Sequence, residues 1–179
     1  MNYTATISIF TENIPGMLLR VTTIFTKRKQ NIESITASES EIPGIHRYTI
    51  VIKASKELAK TIVSQLEKQV DVLKAFVHYD HEIVWQEIAL YKVPTVEFVR
   101  HKEVETIIRQ HNARILTIET DFVIIEKTGH SDETKQLYEI LIPYGLLEFV
   151  RSGRVAISKP MKTLKQHINE LQNTSKSNK

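Results

Sequence analysis

The residues of this chain best suited to chemistry lie in the stretch Asn13-Ile14-Pro15-Gly16-Met17-Leu18. A glycine sits where an apolar strand gives way to an amphipathic helix, and glycine lets other atoms approach the backbone closely. The first N–H groups of a helix have no internal partner, and the helix dipole is positive at that end. A carboxylate docked there gains the amides around Gly16, Met17 and Leu18. Pro15 has no N–H, but it fixes its own φ and stiffens the turn. The side-chain oxygens of Asn13 and Asn31, with loop carbonyls, are candidate acceptors for an ammonium group, and Ile14, Ile32 and Ile35 are candidate walls for an apolar side chain. The chemistry is therefore capture of a free amino acid. Plainer roles compete: Gly16 as a turn residue, Asn13 bonded to its own loop, and Asn31 as a helix terminator.

The elements that must position these residues form a repeat. The first passage reads strand 4–11, helix 16–28, strand 32–39, strand 46–54, helix 56–69 and strand 71–79. Ala5, Ile7 and Ile9 alternate with Thr6 and Ser8, while Met17, Leu18, Val21, Ile24 and Phe25 follow helical spacing. Leu58, Ile62 and Leu66 stripe the second helix, and Ile42-Pro43-Gly44-Ile45 signals a turn between the central strands. The second passage repeats the order: strand 83–93, helix 95–110, strand 113–120, strand 122–128, helix 131–142 and strand 145–151. Thr95 and Ser131 are the expected helix N-caps, and Asn112 the expected left-handed residue ending a helix.

Two βαββαβ passages predict an α+β chain of two ferredoxin-like domains in tandem, each an antiparallel sheet with two helices on one face. Small cores of this kind complete their burial by association, so a homodimer is expected. Beyond 160, Leu164, Ile168 and Leu171 allow one short amphipathic helix before a frayed polar end.

Composition removes several classes. The 179 residues are 41% hydrophobic and 25% charged, as in ordinary globular proteins. There is no cysteine, which excludes disulfides and thiolate chemistry. No secretory leader or membrane span is expected, and a cytoplasmic location fits. The net charge of +3 belongs to the tail, where five lysines against one glutamate from Lys159 onward leave +4 there and −1 elsewhere. That balance, and a strand 46–54 with Tyr48 but no glycine–aromatic series, disfavour the alternative of a nucleic-acid-binding module. The five glycines never form G-x-G, and no nucleophile elbow, zinc helix or phosphate loop occurs, so no catalytic residue and no cofactor site is expected in this chain. His78 and His81 are read as linker residues rather than metal ligands, and Arg151 and Arg154 as polar surface or interface groups.

Asn13-x-x-Gly16-x-Leu18-x-Arg20-Val21, Arg28 and Asn31-Ile32-Glu33-Ser34-Ile35-Thr36 resemble the small regulatory subunit of acetolactate synthase (acetohydroxyacid synthase). Lys68-Gln69-Val70-Asp71-Val72-Leu73, Glu87-Ile88-Ala89-Leu90-Tyr91-Lys92-Val93 and Phe149-Val150-Arg151-Ser152-Gly153-Arg154-Val155-Ala156-Ile157-Ser158 extend the resemblance over nearly the whole chain. It implies an amino-acid-sensing and dimerising ACT domain over 1–79, the subunit's ACT-like C-terminal domain over 83–160 and a basic, partly disordered tail over 161–179. It implies a non-catalytic subunit that binds valine, or else leucine or isoleucine, at the interface of an ACT homodimer. Such a subunit activates a separate catalytic subunit and confers feedback inhibition in branched-chain amino-acid biosynthesis. Thiamine diphosphate, Mg and FAD belong to that catalytic partner. The implied ligand residues are Asn13, Gly16, Met17, Leu18, Asn31, Ile32 and Thr36. One departure stands out: Lys29 and Gln30 replace a family glycine and aromatic residue before Asn31, so the helix needs another left-handed residue or a different cap there.

Overall fold

The computed structural model describes residues 2–160 and 165–166. The elements run β1 (Tyr3–Glu12), α1 (Met17–Lys27), β2 (Ser34–Glu39), β3 (Ile45–Ala54), α2 (Lys56–Leu66) and β4 (Val72–Tyr79), then a 3-10 turn at Asp80–Glu82. There follow β5 (Ile83–Pro94), α3 (Thr95–Arg100), α4 (Glu103–Gln110), β6 (Arg114–Ile118), β7 (Phe122–Gly129), α5 (Ser131–Leu141), a 3-10 turn at Ile142–Tyr144, β8 (Glu148–Arg151) and β9 (Val155–Ser158). Described residues up to Val84, with those from Ala156 on, group into one compact unit, and Trp85–Val155 form a second.

Each passage builds the same antiparallel sheet. Strand order is β2-β3-β1-β4 in the first and β6-β7-β5-β8 in the second, where β9 also pairs with β5. The chain is therefore α+β, with two ferredoxin-like folds in tandem. In the first unit Ala5, Ile7 and Ile9 of β1 and Ile50 and Ile52 of β3 pack with Met17, Val21 and Phe25 of α1 and Ala59, Ile62 and Leu66 of α2. Helix α2 starts where Ser55 Oγ accepts the Leu58 N–H at 3.2 Å. In the second unit the core joins Ala89, Tyr91 and Val93 of β5 to Val104 and Ile108 of α4 and Leu137 and Leu141 of α5.

Several expectations change. The single helix over 95–110 is broken at His101, whose φ −106 and ψ 81 are not helical. Phe98 and Val104 both pack on the second core. Six residues apart, they would point ~120° from one another around one straight helix, so the break lets both face inward. Thr95 is the first helical residue rather than the N-cap, and its hydroxyl donates to Glu119 O at 2.8 Å. His130, not Ser131, caps α5, with its N–H donating to Glu133 Oε2 at 2.6 Å. The strand placed at 145–151 begins only at Glu148, because Pro143 and the left-handed Gly145 (φ 76) extend the preceding turn. Asn112 is left-handed as expected, with φ 51. Strand β9 falls inside the closing motif, where no strand was expected. The amphipathic stretch from Leu164 to Leu171 lies almost wholly outside the described residues.

Candidate functional site

The corner between β1 and α1 is open. Gly16 is left-handed, with φ 86, and no side chain caps the helix. The first helical bond is Arg20 N–H to Gly16 O at 3.1 Å, so the amides of Met17, Leu18 and Leu19 have no intrahelical partner. A Cβ built on Gly16 meets no heavy atom within 4 Å. The space beside Gly16 itself is therefore open. Met17 is buried in the core as a whole residue, whereas Leu18 is 48% exposed.

Three long-range bonds hold the corner. Glu12 N–H donates to Asp71 O at 3.1 Å and Asn13 N–H to Gly44 O at 2.9 Å. Arg20 Nη1 bonds Asp71 Oδ2. Gly44 itself is left-handed (φ 78) in the turn joining β2 to β3.

The other proposed residues lie elsewhere on the chain. Asn31 and Ile32 follow the C-terminus of α1, about 16 Å of helix away from Gly16. The sheet register agrees: Glu12 is level with Ile45, whereas Ser34 pairs with Val51, which is level with Thr6. Asn31 Nδ2 reaches Glu33 Oε1 at 3.4 Å, and Ile32 packs against the first core. Thr36 pairs with Thr49 in the middle of β2. One chain thus brings together Asn13, Gly16, Met17 and Leu18, while Asn31, Ile32 and Thr36 lie towards β2, an edge strand.

The path into Asn31 is set by Lys29, which takes the left-handed conformation itself with φ 52. Gln30 N–H donates to Phe25 O at 3.0 Å and Lys29 N–H to Thr26 O at 2.9 Å, the paired bonds of a Schellman cap. The same pair recurs in the second unit, from Ala113 N–H to Ile108 O at 2.9 Å and Asn112 N–H to Arg109 O at 3.1 Å. The lysine is thus accommodated in a left-handed position that glycine would occupy at less cost.

Sequence reasoning missed a buried polar cluster in the second unit. Glu87 lies on the helix-facing side of β5 and is only 6% exposed. Its carboxylate accepts the Thr134 hydroxyl at 2.6 Å and pairs with Arg151 Nη1 at 3.3 Å. The Tyr91 hydroxyl donates to Thr134 O at 2.7 Å. Burial, helped by the Glu87 charge, raises the Tyr91 pKa well above the ordinary phenol value. Arg154, read as a polar surface or interface group, is buried, with its guanidinium 3.5 Å from the centre of the Trp85 ring. Charged residues within an alternating apolar strand were the available signal. His78, read as a linker residue, belongs to β4, where burial lowers its pKa, and no metal-binding group of three occurs among the described residues. No helix among them is long and apolar enough to cross a membrane.

Comparison with known proteins adds to this geometry. A family model for the "AHAS small subunit-like ACT domain" matches residues 7–74, and one for the "small subunit of acetolactate synthase" matches 86–160. The acetolactate synthase small subunit of Bacillus subtilis is 36% identical over 86% of this chain and 89% of its own length. A probable acetolactate synthase small subunit of Methanothermobacter thermautotrophicus is 34% identical over 88% of this chain and 94% of its own. The crystal structure of the small subunit from Thermotoga maritima superposes with a TM-score of 0.80 at 28% identity, covering 89% of this chain and 99% of that one. With the left-handed glycine corner in the first fold and the family's motifs running through both, this chain belongs to the acetolactate synthase small-subunit family.

Proposed function

We propose that this chain is a non-catalytic regulatory subunit that binds a branched-chain amino acid, valine foremost, and controls a separate acetolactate synthase catalytic subunit. The observation that carries the reading is the corner at Gly16: three amides without intrahelical partners at the positive end of a helix, next to a left-handed glycine with open space beside it. In this reading the effector's carboxylate takes the amides of Met17 and Leu18 and its ammonium is met by asparagine oxygens. Apolar side chains close over the remainder.

The ligand set is completed by a second copy of the chain. Asn13 and Gly16 lie at one end of α1 and Asn31 and Ile32 at the other, so one protomer alone cannot surround a ligand of a few ångströms with both groups. Strand β2 is an edge, and Ile14, Leu18, Leu19 and Ile35 are exposed apolar side chains at or near α1 and β2. An ACT homodimer pairing these edges buries them and brings Asn31, Ile32 and Thr36 of one copy towards Gly16 of the other. Control then follows by linkage: the effector favours one arrangement of the dimer, and the catalytic subunit is active in complex with the other. A coupling of about 1–3 kcal/mol changes the population several-fold to about a hundredfold. Thiamine diphosphate, Mg and FAD stay with the catalytic partner, and the complex works in the cytoplasm.

Two measurements test the reading. Co-purification with the catalytic subunit should raise its rate of acetolactate formation, and L-valine should lower that rate. Calorimetry of the small subunit with L-valine, L-leucine and L-isoleucine should give saturable heat with at least one of them. A folded dimer that binds none of the three overturns the effector assignment, and turnover by this chain alone overturns the non-catalytic one.

A further inference from the structure

One residue touches both ends of the Gly16 corner. The Asp71 carbonyl accepts the Glu12 N–H at 3.1 Å, where β1 ends, and the Asp71 carboxylate bonds the Arg20 guanidinium, one helical turn into α1. Arg20 in turn gives its own N–H to Gly16 O at 3.1 Å, closing the first turn over the glycine. The segment from Glu12 to Arg20 is thereby a closed loop braced from the turn between α2 and β4. Asp71 is held in that turn by Val72 N–H to Gln69 O at 3.2 Å. The asparagine and glycine motif has a reading in ligand capture, but Arg20 and Asp71 have none.

We infer that Arg20 and Asp71 are positioning residues for the effector site: their ion pair sets the spacing between the strand end and the unpaired amides, and so tunes affinity for the amino acid. The inference rests on the effector reading of this corner. The Arg20 side chain is 52% exposed and that of Asp71 20%, so the pair itself contributes little to folding. Its consequence is geometric. Without it the loop keeps the bonds at Glu12 and Asn13 and the core packing of Met17, but the exposed side of the first turn, from Leu18 to Arg20, loses its tie to the start of β4. Donors aimed at a carboxylate lose much of their strength when the angle or distance drifts. The brace also joins the corner to the start of β4, so occupancy at Gly16 is felt at the turn that Asp71 occupies.

The test uses the small subunit assembled with its catalytic partner. The concentration of L-valine, L-leucine or L-isoleucine giving half-maximal inhibition is read relative to the rate without amino acid. Asp71→Asn and Arg20→Gln should each raise that concentration about tenfold, the effect of one charge-assisted contact. The double variant should be no worse than either single one, because both break the same tie. Exchanging the charges, Arg20→Asp with Asp71→Arg, should recover part of the lost sensitivity, which general loosening of the fold would not do. Wild-type curves flat to all three amino acids would bring down the effector reading and this inference with it. A responsive wild type with unshifted single variants, additive losses in the double, or no recovery on charge exchange would overturn the positioning role alone.

Discussion

The two halves of the chain fold alike and place their polar groups in opposite ways. At the β1–α1 corner of the first half, a three-residue loop and a left-handed glycine leave helix amides without intrahelical partners, and the strand beneath presents Ala5, Ile7 and Ile9 to a dry core. At the matching β5–α3 corner, the strand runs straight into the helix through Pro94. Thr95 N–H donates to Asp121 O at 3.1 Å and Thr95 Oγ1 to Glu119 O at 2.8 Å. The strand beneath that corner carries Glu87 and Tyr91 inward, bonded to Thr134 and Arg151. The first junction ends on a left-handed glycine, whereas the second ties its first helical residue to the turn between β6 and β7 through two bonds. Shared topology therefore does not fix the junction: the loop length and the residue that precedes the helix differ between the two halves.

The sharpest way to break this contrast is Gly16→Asp. The room around that position admits a side chain, and a carboxylate there would take the place proposed for the effector, although the positive φ strains the backbone. Half-inhibition by the amino acid should move by about a hundredfold or more while the catalytic subunit still co-purifies. Thr95→Asp at the β5–α3 corner should leave the effector response as in the wild type. Inhibition of the Gly16 variant at wild-type concentrations would refute the site.

Next in size is the buried cluster. Thr134→Val removes the hydroxyl from the Glu87 carboxylate. Denaturant melts followed at Trp85 should show a loss of about 2 kcal/mol, the cost of a hydrogen bond to a charged buried group. A loss of only a few tenths would mean that Arg151 and water already satisfy Glu87. Tyr91 carries the pH dependence of the same cluster. Its folded pKa is raised above the unfolded value of about 10, so the stabilisation is fully present below that pH and is lost as pH rises beyond it. Stability of the wild type should fall more steeply above pH 10 than that of Tyr91→Phe, and parallel curves would assign the alkaline loss to other groups.

The smallest effects compare the two Schellman caps. Lys29→Gly should stabilise by about 1 kcal/mol, since a left-handed lysine costs about that much. Asn112→Gly should gain only a few tenths of a kcal/mol, because asparagine tolerates the conformation. Equal gains would mean that contacts of the lysine side chain offset its strain.

Legibility tracked the range of the interaction. The alternation of Ala5, Ile7 and Ile9, the helical stripe of Met17, Val21, Ile24 and Phe25, the turn at Gly44 and the left-handed Asn112 are local patterns that appeared where the sequence placed them, whereas Leu18, expected in the same stripe, is exposed. The helix over 95–110 was read as continuous because nothing in its spacing marks His101; only the shared core of Phe98 and Val104 requires the break. His130 as a cap was hidden because histidine is a weak capping signal beside Ser131. Lys29 was recognised as a departure, yet its left-handed conformation depends on bonds back to Thr26 and Phe25 once the helix exists. Asn31 and Gly16, neighbours in any list of ligand residues, proved to lie at opposite ends of α1.

By itself the sequence determined the repeated βαββαβ order, the glycine junction and the family, because hydrophobic period, turn chemistry and motif are written in neighbouring residues. Only the tertiary structure decided that Asp71 braces both ends of that junction, that Glu87 finds Thr134 and Arg151, and that Thr95 bonds the turn between β6 and β7. Those outcomes join residues tens of positions apart, whose meeting depends on sheet register and helix placement rather than on any local preference.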